Sequence, residues 1–355
     1  MMFKDFNRFF RYISLKQFTI FNMLIVTLIF IIGLGISIGS FDFSVLKYFS
    51  GSLTTLEEEV LINIRFPRVI LAAVVGAALS MSGACLQGLF RNPLADPGLI
   101  GVSAGAALGA AFSIAMSAEF FPDFLFTPYL LPFSAILGSA FVISILFIIT
   151  RGFGFEGMTY MLLAGIAINA FAGVGIGILT YISDDAELRG LTFWTMGSFG
   201  GVTWTLIIPA IIIILSTIFW TLRISRKLDL LQLGEPEAYR LGVDIKKLRF
   251  DIIMSSAIIV GISVSLTGMI GFVGLVVPHL VRLFGGVNHH YLLPCSALTG
   301  AILMVSSDLL SRILIQPAEL PVGLITSAIG SPFFLWLIFR MRKKLVLKSK
   351  ILVLL

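Results

Sequence analysis

The stretch "FRNPLADPGLIGVSAGAALG" (residues 90–109) places a charged turn between two apolar segments. Two pairs, Asn-Pro at 92–93 and Asp-Pro at 96–97, end the first segment, because a residue before proline is driven out of the helical region. Asp96 is placed to cap the helix that follows. Glycines then recur at every fourth position, which lets a neighbouring backbone approach closely: Gly101, Gly105 and Gly109. The stretch therefore predicts a tight turn between two closely packed apolar helices.

The composition around this turn is that of a membrane protein. Of the 355 residues, 58% are hydrophobic and 12% are charged, and the mean hydropathy is +1.03. A soluble domain with this balance could not cover its surface with polar groups. The net charge of +6 lacks the basic, aromatic-interleaved surface of a nucleic-acid partner, and we assign it to membrane orientation and lipid headgroups. The sequence predicts an all-α polytopic membrane protein.

Apolar runs predict about ten transmembrane helices, because each is long enough to cross a hydrocarbon core of about 30 Å. The run over residues 250–285 would form a single helix of about 54 Å, so we expect it to break near "GMIGFVG". With that break, the predicted helices cover residues 18–39, 67–89, 98–117, 129–150, 158–181, 202–222, 250–271, 272–285, 291–310 and 321–341.

The basic residues predict that both termini are cytoplasmic. With the N-terminus inside, 20 of the 25 Lys and Arg residues fall on cytoplasmic segments. This distribution is the positive-inside bias of membrane proteins. The bacterial plasma membrane is the expected location, with lipid as the surrounding partner.

An internal similarity suggests two inverted halves within a single permease domain spanning residues 1–355. At an offset of 185 residues, "VGAALSMSG" (75–83) aligns with "VGISVSLTG" (260–268). Five helices separate the copies, so the second copy crosses the membrane in the opposite sense. Transporters use such inverted halves, here 1–200 and 201–355, to build an alternately gated path. Chance similarity among Gly, Ser and Val is the alternative.

The sequence contains few groups that could carry chemistry or drive transport. It lacks the GxxxxGK[ST], HExxH and GxSxG motifs, so we expect neither enzyme activity nor a bound cofactor. The predicted spans hold no ionisable pair suited to a proton or sodium relay, which disfavours ion-driven transport. Cys85 and Cys295 are interpreted as buried thiols, and the three histidines as polar groups at helix ends rather than metal ligands.

The long connection at residues 223–250 is the candidate surface for a cytoplasmic partner. A short helix is expected over residues 235–241, between Gly234 and Gly242. Four leucines give the connection apolar surface to bury: Leu230, Leu231, Leu233 and Leu241. A solvated basic loop that only sets topology is the alternative.

Three arginines run against the charge bias on the predicted outer face. Arg65 and Arg68 lie three residues apart in "RFPR", and Arg312 lies at the outer end of the ninth predicted helix. Guanidinium groups pair bidentately with carboxylates, so the three favour an external partner that presents acidic groups. Arginines that reach from helix ends to lipid headgroups are the alternative.

Taken together, these segments resemble the FecCD-type permease family, the membrane subunits of ABC importers for ferric siderophores, haem and vitamin B12. The matching stretches begin at residues 65, 233, 271 and 319: "RFPRVILAAVVGAALSMSGACLQGLFRNPLADPGLIGVSAGA", "LGEPEAYRLGV", "GFVGLVVPHLVRLFG" and "ELPVGLITSAIGSPFFLWLI". The resemblance implies a homodimer, two cytoplasmic ATPase subunits that bind the ATP, and an external binding protein that delivers the ligand.

The resemblance also assigns roles to individual residues. Arg65, Arg68 and Arg312 match positions that dock the binding protein, and Met158 and Thr159 match a cytoplasmic gate. The match to the ATPase-coupling helix covers ten consecutive residues: Leu233, Gly234, Glu235, Pro236, Glu237, Ala238, Tyr239, Arg240, Leu241 and Gly242.

The expected function is import of an intact iron chelate, either a ferric siderophore or haem. Vitamin B12 is the alternative cargo, disfavoured slightly because Met158 replaces a small hydroxyl residue of the vitamin B12 member. A secondary transporter driven by an ion gradient is the alternative from another class, and a non-transporting receptor is a further one.

Overall fold

The computed structural model describes residues 14–39, 54–120, 127–150 and 157–354. Within these ranges the chain is helical and contains no β-strand. The helices of the first part are α1 Leu15–Ser37, α2 Thr55–Phe90, α3 Val102–Phe120, α4 Thr127–Thr150, α5 Gly157–Ile182 and α6 Asp185–Met196. Those of the second part are α7 Trp204–Leu222, α8 Ser225–Leu231, α9 Glu235–Arg240, α10 Ile245–Thr267, α11 Val273–Gly285, α12 His289–Ile313 and α13 Val322–Leu354.

Each of the ten predicted spans coincides with a helix. In the described part of the chain, eight helices are long and apolar enough to cross a membrane. The other two, α3 and α11, are shorter apolar helices within that part. At 13 residues, α11 extends about 20 Å, which is less than the hydrocarbon thickness. The all-α polytopic fold is therefore confirmed.

The turn at residues 91–101 has the predicted local structure. Arg91 ends α2 in a left-handed conformation, and the Asp96 carboxylate accepts a hydrogen bond from the backbone N–H of Gly98 at 2.8 Å. Asp96 thus caps a 3₁₀ turn, Pro97–Ile100, which leads into α3. Burial raises the pKa of this carboxyl above its usual range. Backbone contacts between α3 and α4 at Gly105 and Gly138 confirm close packing after the turn.

The long apolar run breaks where the sequence predicts. α10 ends at Thr267, and Gly268 and Phe272 both have positive φ, of 68° each. The break directs α11 back against α2, where Gly83 faces the backbone of Gly274. The offset of 185 residues also aligns Pro93 with Pro278, which predicts two matched breaks. Pro278 lies inside α11 and Pro93 lies in a turn, so the two prolines do not form equivalent breaks.

Three features of the helix pattern differ from the expectation. Within residues 223–250, α8 and the first turns of α10 are helical in addition to the predicted short helix α9. α2 begins at Thr55 instead of Pro67, and its turn Val60–Arg65, which ends two residues before that proline, is π-helical. Proline has no N–H for the regular helical bond, and the wider turn accommodates it. The helix α6 was not predicted.

Contacts define two ends of the helix bundle. We call the end with Arg68, Asp308 and Glu319 the arginine end, and the opposite end, with α8 and α9, the α9 end. α2 begins at the arginine end and reaches the α9 end, where the Gln232 side chain donates to the carbonyl of Gly88 at 2.9 Å. α12 runs the other way, from His289 beside Asp229 to Asp308 beside Arg68.

The similar segments in α2 and α10 cross the bundle in opposite senses. α10 begins at the α9 end, where Arg249 lies 3.5 Å from Glu235. It ends beside Ser198, which is two residues from Gly200 at the arginine end. The Gln17 side chain at the start of α1 donates to the carbonyl of Gly285 at the α9 end, while α13 starts at the arginine end and runs away from it. The start of the first described helix, α1, and the end of the last, α13, therefore lie on the same side of the bundle.

Candidate functional site

The predicted partner surface at the α9 end is a helix with one buried and one exposed side. Ala238 is fully buried and Glu235 is nearly so, next to Arg249 of α10. Three apolar side chains instead face outwards, with exposures of 63%, 70% and 57%: Leu233, Tyr239 and Leu241. α9 ends at Arg240, one residue before the predicted end. The buried side of α9 packs against the bundle, so the exposed apolar group on its other side is available to bind a protein partner.

Glycines set the limits of α9. Gly234 precedes it with a φ of 113°, and Gly242 follows it with a φ of 85°. Residues other than glycine rarely adopt such φ values, so the two turns depend on Gly234 and Gly242. Pro236 lies in the first turn, where its missing N–H costs no helical bond, and the exposed Glu237 and Arg240 form an ion pair at 3.3 Å.

The helix α8 fixes α9 to the bundle. Leu228 and Leu231 of α8 are fully buried. On its polar side, the Asp229 carboxylate accepts from the backbone N–H of His289 at 2.9 Å and lies 2.6 Å from His289 Nδ1. Ser225 Oγ lies 2.7 Å from His290 Nδ1. These contacts tie the predicted partner surface to the first turn of α12.

The arginine end holds a buried ionic cluster that sequence reasoning missed in part. Arg68 Nε donates to Asp308 Oδ1 and its Nη1 donates to Glu319 Oε2, both at 2.8 Å. Arg312 Nε lies 3.2 Å from the other oxygen of Asp308. Asp308 thus joins two of the three predicted docking arginines. It was overlooked because it lies inside the apolar run of α12, where a lone acid should have indicated a buried partner.

Arg65 and Arg312 also bind the C-terminal end of α1. Arg65 Nη1 donates to the carbonyls of Ile36 and Ser37, both at 2.8 Å. Arg312 donates to the carbonyls of Gly35 at 2.9 Å and Ile38 at 3.0 Å. The last carbonyls of a helix lack partners within it and carry partial negative charge, which a guanidinium satisfies.

The three arginines are therefore less exposed than the docking interpretation expects. Arg65, Arg68 and Arg312 are all buried in the isolated chain. In the described part of the chain, the ion pairs of Arg68 and Arg312 are with Asp308, which is fully buried, and with Glu319, whose side chain is 42% exposed.

The remaining candidates from the sequence are the cysteines, the histidines and the predicted gate residues. Cys85 and Cys295 are free and buried, as predicted. His279 packs against the ring of Phe333, and no group of three or more His, Cys, Asp or Glu in the described residues could hold a metal ion. Met158 and Thr159 lie in the first turn of α5, and their side chains fall outside the described part of the structure.

Comparison with known proteins places the chain in a family. The model of the FecCD transport family matches residues 25–340. The hemin transport system permease protein HmuU of Yersinia pestis is 45% identical over 90% of this chain and 95% of its own length. The vitamin B12 import system permease protein BtuC of Vibrio vulnificus is 40% identical over 81% of this chain and 85% of its own length.

A solved structure agrees with these relatives. A chain from an inward-facing ABC transporter of metal-chelate type superposes with a TM-score of 0.81 at 34% identity, covering 91% of this chain and 99% of that one. Sequence and fold thus point to the same group of multi-pass proteins of the bacterial inner membrane, and the resemblance drawn from the sequence is confirmed. The chain belongs to the FecCD transport family.

Proposed function

We propose that the chain is the permease subunit of an ATP-driven ABC importer that moves an intact iron chelate, a ferric siderophore or haem. The exposed apolar surface of α9, on a chain of the FecCD transport family, carries this proposal. The similarity to a hemin permease supports haem or a related chelate as cargo. Vitamin B12 is the second candidate, favoured by the similarity to BtuC.

In this proposal the whole chain acts as one transport domain and is not itself an enzyme. Two cytoplasmic ATPase subunits bind and hydrolyse ATP, and each receives α9 of one permease in a surface cleft. The α9 end is then the cytoplasmic end, which agrees with the seven basic residues between Arg223 and Arg249 and with cytoplasmic termini. No cofactor or metal is assigned to the permease, since the cargo would cross as an intact chelate.

An external binding protein would dock at the arginine end. Acidic groups on that protein would compete with the half-exposed Glu319 for Arg68. Arg65 and Arg312 would contribute by holding the end of α1 in place and by adding positive charge. At the other end of the path, Met158 and Thr159 would form part of a cytoplasmic gate.

The second subunit of the importer would be another copy of this chain. α5 is largely exposed and carries apolar groups, among them Phe171 and Val174. Gly173 and Gly177 of the same helix have no neighbouring atom where a Cβ would lie, so the backbone is open to close approach by another helix. A path between two copies would then be bordered by α5 of each.

Replacement of the α9 surface tests the ATPase-coupling proposal. We expect the triple substitution Leu233→Ser, Tyr239→Ser and Leu241→Ser to abolish co-purification of the ATPase subunits, because it removes apolar contact area without touching the buried face of α9. Val287→Ser is the matched control, since Val287 is equally exposed at the same end but lies outside α9. Retention of the ATPase by the triple variant would refute the coupling role.

Transport in sealed vesicles separates the proposal from its rivals. We expect chelate uptake only when the ATPase subunits, ATP and the binding protein are all present. Uptake driven by a proton or sodium gradient without the ATPase would instead identify a secondary transporter. Binding of the external protein with no ligand crossing under any condition would identify a receptor.

A further inference from the structure

The contacts of α8 extend the proposed coupling surface into the bundle. α8 lies directly before α9 and is bonded to α12 through two side chains on one face, since positions 225 and 229 are one helical turn apart. Asp229 contacts both the backbone N–H and the Nδ1 of His289, and Ser225 contacts Nδ1 of His290. The link to α12 therefore consists of directed polar contacts, while the buried Leu228 of the same helix lies against Gly88 of α2.

Asp229 lies at the N-terminal end of α12, where a helix stabilises a carboxylate. The first N–H groups of a helix have no partner within it and carry partial positive charge. Asn288 caps one of them by accepting from His290 N at 2.8 Å, and Asp229 accepts from His289 N. Asp229 thus gives α12 a second capping group, which comes from α8 rather than from the chain next to α12.

The His289 ring is held on both sides. Its Nδ1 faces Asp229 at 2.6 Å, and its Nε2 is buried against Gly88 of α2, with no hydrogen-bond partner among the described groups. With the proton on Nδ1, the ring donates to the carboxylate and leaves Nε2 as an acceptor. The ring therefore lies between α8 and α2 and is in direct contact with both.

α12 connects this contact with the opposite end of the bundle. Its 25 residues extend about 38 Å, and its last turns carry Asp308 and Arg312 of the ionic cluster. Between the two ends it packs on α2 through backbone contact of Gly300 with Gly76 and through Ser80 Oγ, which donates to the carbonyl of Ser296 at 2.7 Å. A shift at its first turn therefore reaches the groups that bind Arg68.

We propose that Asp229 and His289, with Ser225 and His290 beside them, form a joint that couples α9 to α12 and so connects the ATPase contact with the outer face. The inference rests on the proposed coupling role of α9. Asp229 and His289 are positioning residues, because they contact neither the ATPase nor the cargo in this arrangement. Movement of α9 would shift α12 as a rigid body and change the contacts of Asp308 with Arg68 and of Arg312 with the end of α1.

The test measures coupling separately from assembly, using the full transporter in proteoliposomes. For Asp229→Ala and for His289→Leu we expect normal co-purification of the ATPase and normal basal ATP hydrolysis. Stimulation of hydrolysis by the loaded binding protein, and uptake of its chelate, should each fall about tenfold. His289→Asn should restore much of both, since the asparagine amide can still donate to Asp229.

The control is Asp244→Asn at the same end of the bundle. Asp244 also caps a helix, by accepting from Lys247 N at 3.0 Å, but it caps α10 and not α12. If Asp229→Ala does not fold, the same measurements are made on Asp229→Asn and on the two His289 variants. Unchanged stimulation and uptake in a variant that retains the ATPase would overturn the joint. Retention of the ATPase by the α9 surface variant would instead refute the coupling role itself.

A cross-link gives a second, independent measurement. Ser225→Cys and His290→Cys, with Cys85 and Cys295 replaced by Ala, allow α8 to be joined to α12 by a short thiol cross-linker. Because a joint moves as one piece, we expect the linked protein to retain uptake. Uptake that is present before linking and lost after it would show that α8 and α12 separate during transport, which contradicts the proposal.

Discussion

At the scale of single residues, Asp308 decides the local electrostatics of the arginine end. It has no exposed surface and lies between Arg68 and Arg312. Two buried guanidinium groups without a counter-charge would be costly, because charge in a low-dielectric interior is poorly solvated. The cluster therefore stabilises the fold at a place where the family resemblance alone indicates only docking.

Removal of the Asp308 charge should destabilise the protein strongly. We expect Asp308→Asn to lower the free energy of unfolding by about 3–5 kcal/mol, because both arginines lose their shared partner. Thermal unfolding in detergent, monitored by tryptophan fluorescence, measures the loss. Asp184→Asn is the control, since Asp184 caps α6 at an exposed position and should change stability much less. Equal effects of the two substitutions would contradict a special role for Asp308.

Glu319 should regulate docking through the ion pair that it forms with Arg68. If an acidic group on the binding protein replaces Glu319, then Glu319→Gln should strengthen docking about fivefold to tenfold, because the competing charge is gone. Arg68→Gln should weaken docking. Surface plasmon resonance of the binding protein on nanodisc-embedded transporter measures both, and the effects should shrink at high salt. Weaker docking of the Glu319 variant would contradict competition.

At the scale of helices, the break between α10 and α11 depends on Gly268. Its φ of 68° disfavours a side chain, and a Cβ there would lie 2.0 Å from the carbonyl oxygen of Trp194. Gly271 lies in the same break, yet a Cβ there would meet nothing within 4 Å. The two glycines look alike in sequence, but only the first is required by the packing of α6 against the break.

Substitution of these glycines should separate their roles. We expect Gly268→Ala to destabilise the protein by about 1–3 kcal/mol, since it combines backbone strain with overlap. Gly271→Ala should have little effect on stability and serves as the matched control. The measurements are the midpoint of thermal unfolding and the yield of monodisperse protein. A Gly268 variant as stable as the Gly271 variant would show that the break can rearrange around a methyl group.

Much of the helix pattern could be predicted from sequence, and the exceptions have physical causes. Apolar length and helix-breaking residues located all ten spans and the break after α10, because the hydrocarbon core requires long apolar segments. α6 is short and polar at its start, so hydropathy did not indicate it. Asp184 and Glu187 form a capping box there, a signal that could have predicted the helix.

The candidate sites were predictable only where local sequence determines them. The limits of α9 follow from nearby Gly and Pro residues and agree with the expectation to within one residue. The pairing of Arg68 with Asp308, 240 residues away, depends on tertiary packing that no local pattern specifies. The same holds for Asp229 and His289, whose residue types do not reveal that α8 caps α12.

At the scale of the whole molecule, exposure is unevenly distributed between structurally similar apolar helices. α2 and α10 are mostly buried within one chain, whereas α1 and α5 are mostly exposed. Lipid can cover both exposed helices equally well, so composition alone does not separate a lipid-facing helix from a subunit interface. The proposal of a homodimer assigns the interface to α5 and leaves α1 to lipid.

Two open glycines allow this assignment to be tested by matched substitutions. Gly177 of α5 and Gly33 of α1 both have no neighbouring atom at the position of a Cβ, so either substitution fits within a single chain. A leucine at Gly177 would hold a second copy apart at a close helix contact, whereas a leucine at Gly33 would only displace lipid. We expect Gly177→Leu to weaken dimerisation about tenfold or more and Gly33→Leu to leave it unchanged.

Native mass spectrometry in detergent over a dilution series gives the fraction of dimer. If Gly33→Leu abolishes dimerisation and Gly177→Leu does not, the interface lies at α1 instead. If Gly177→Leu abolishes uptake but leaves the dimer intact, α5 borders the transport path and does not form the interface.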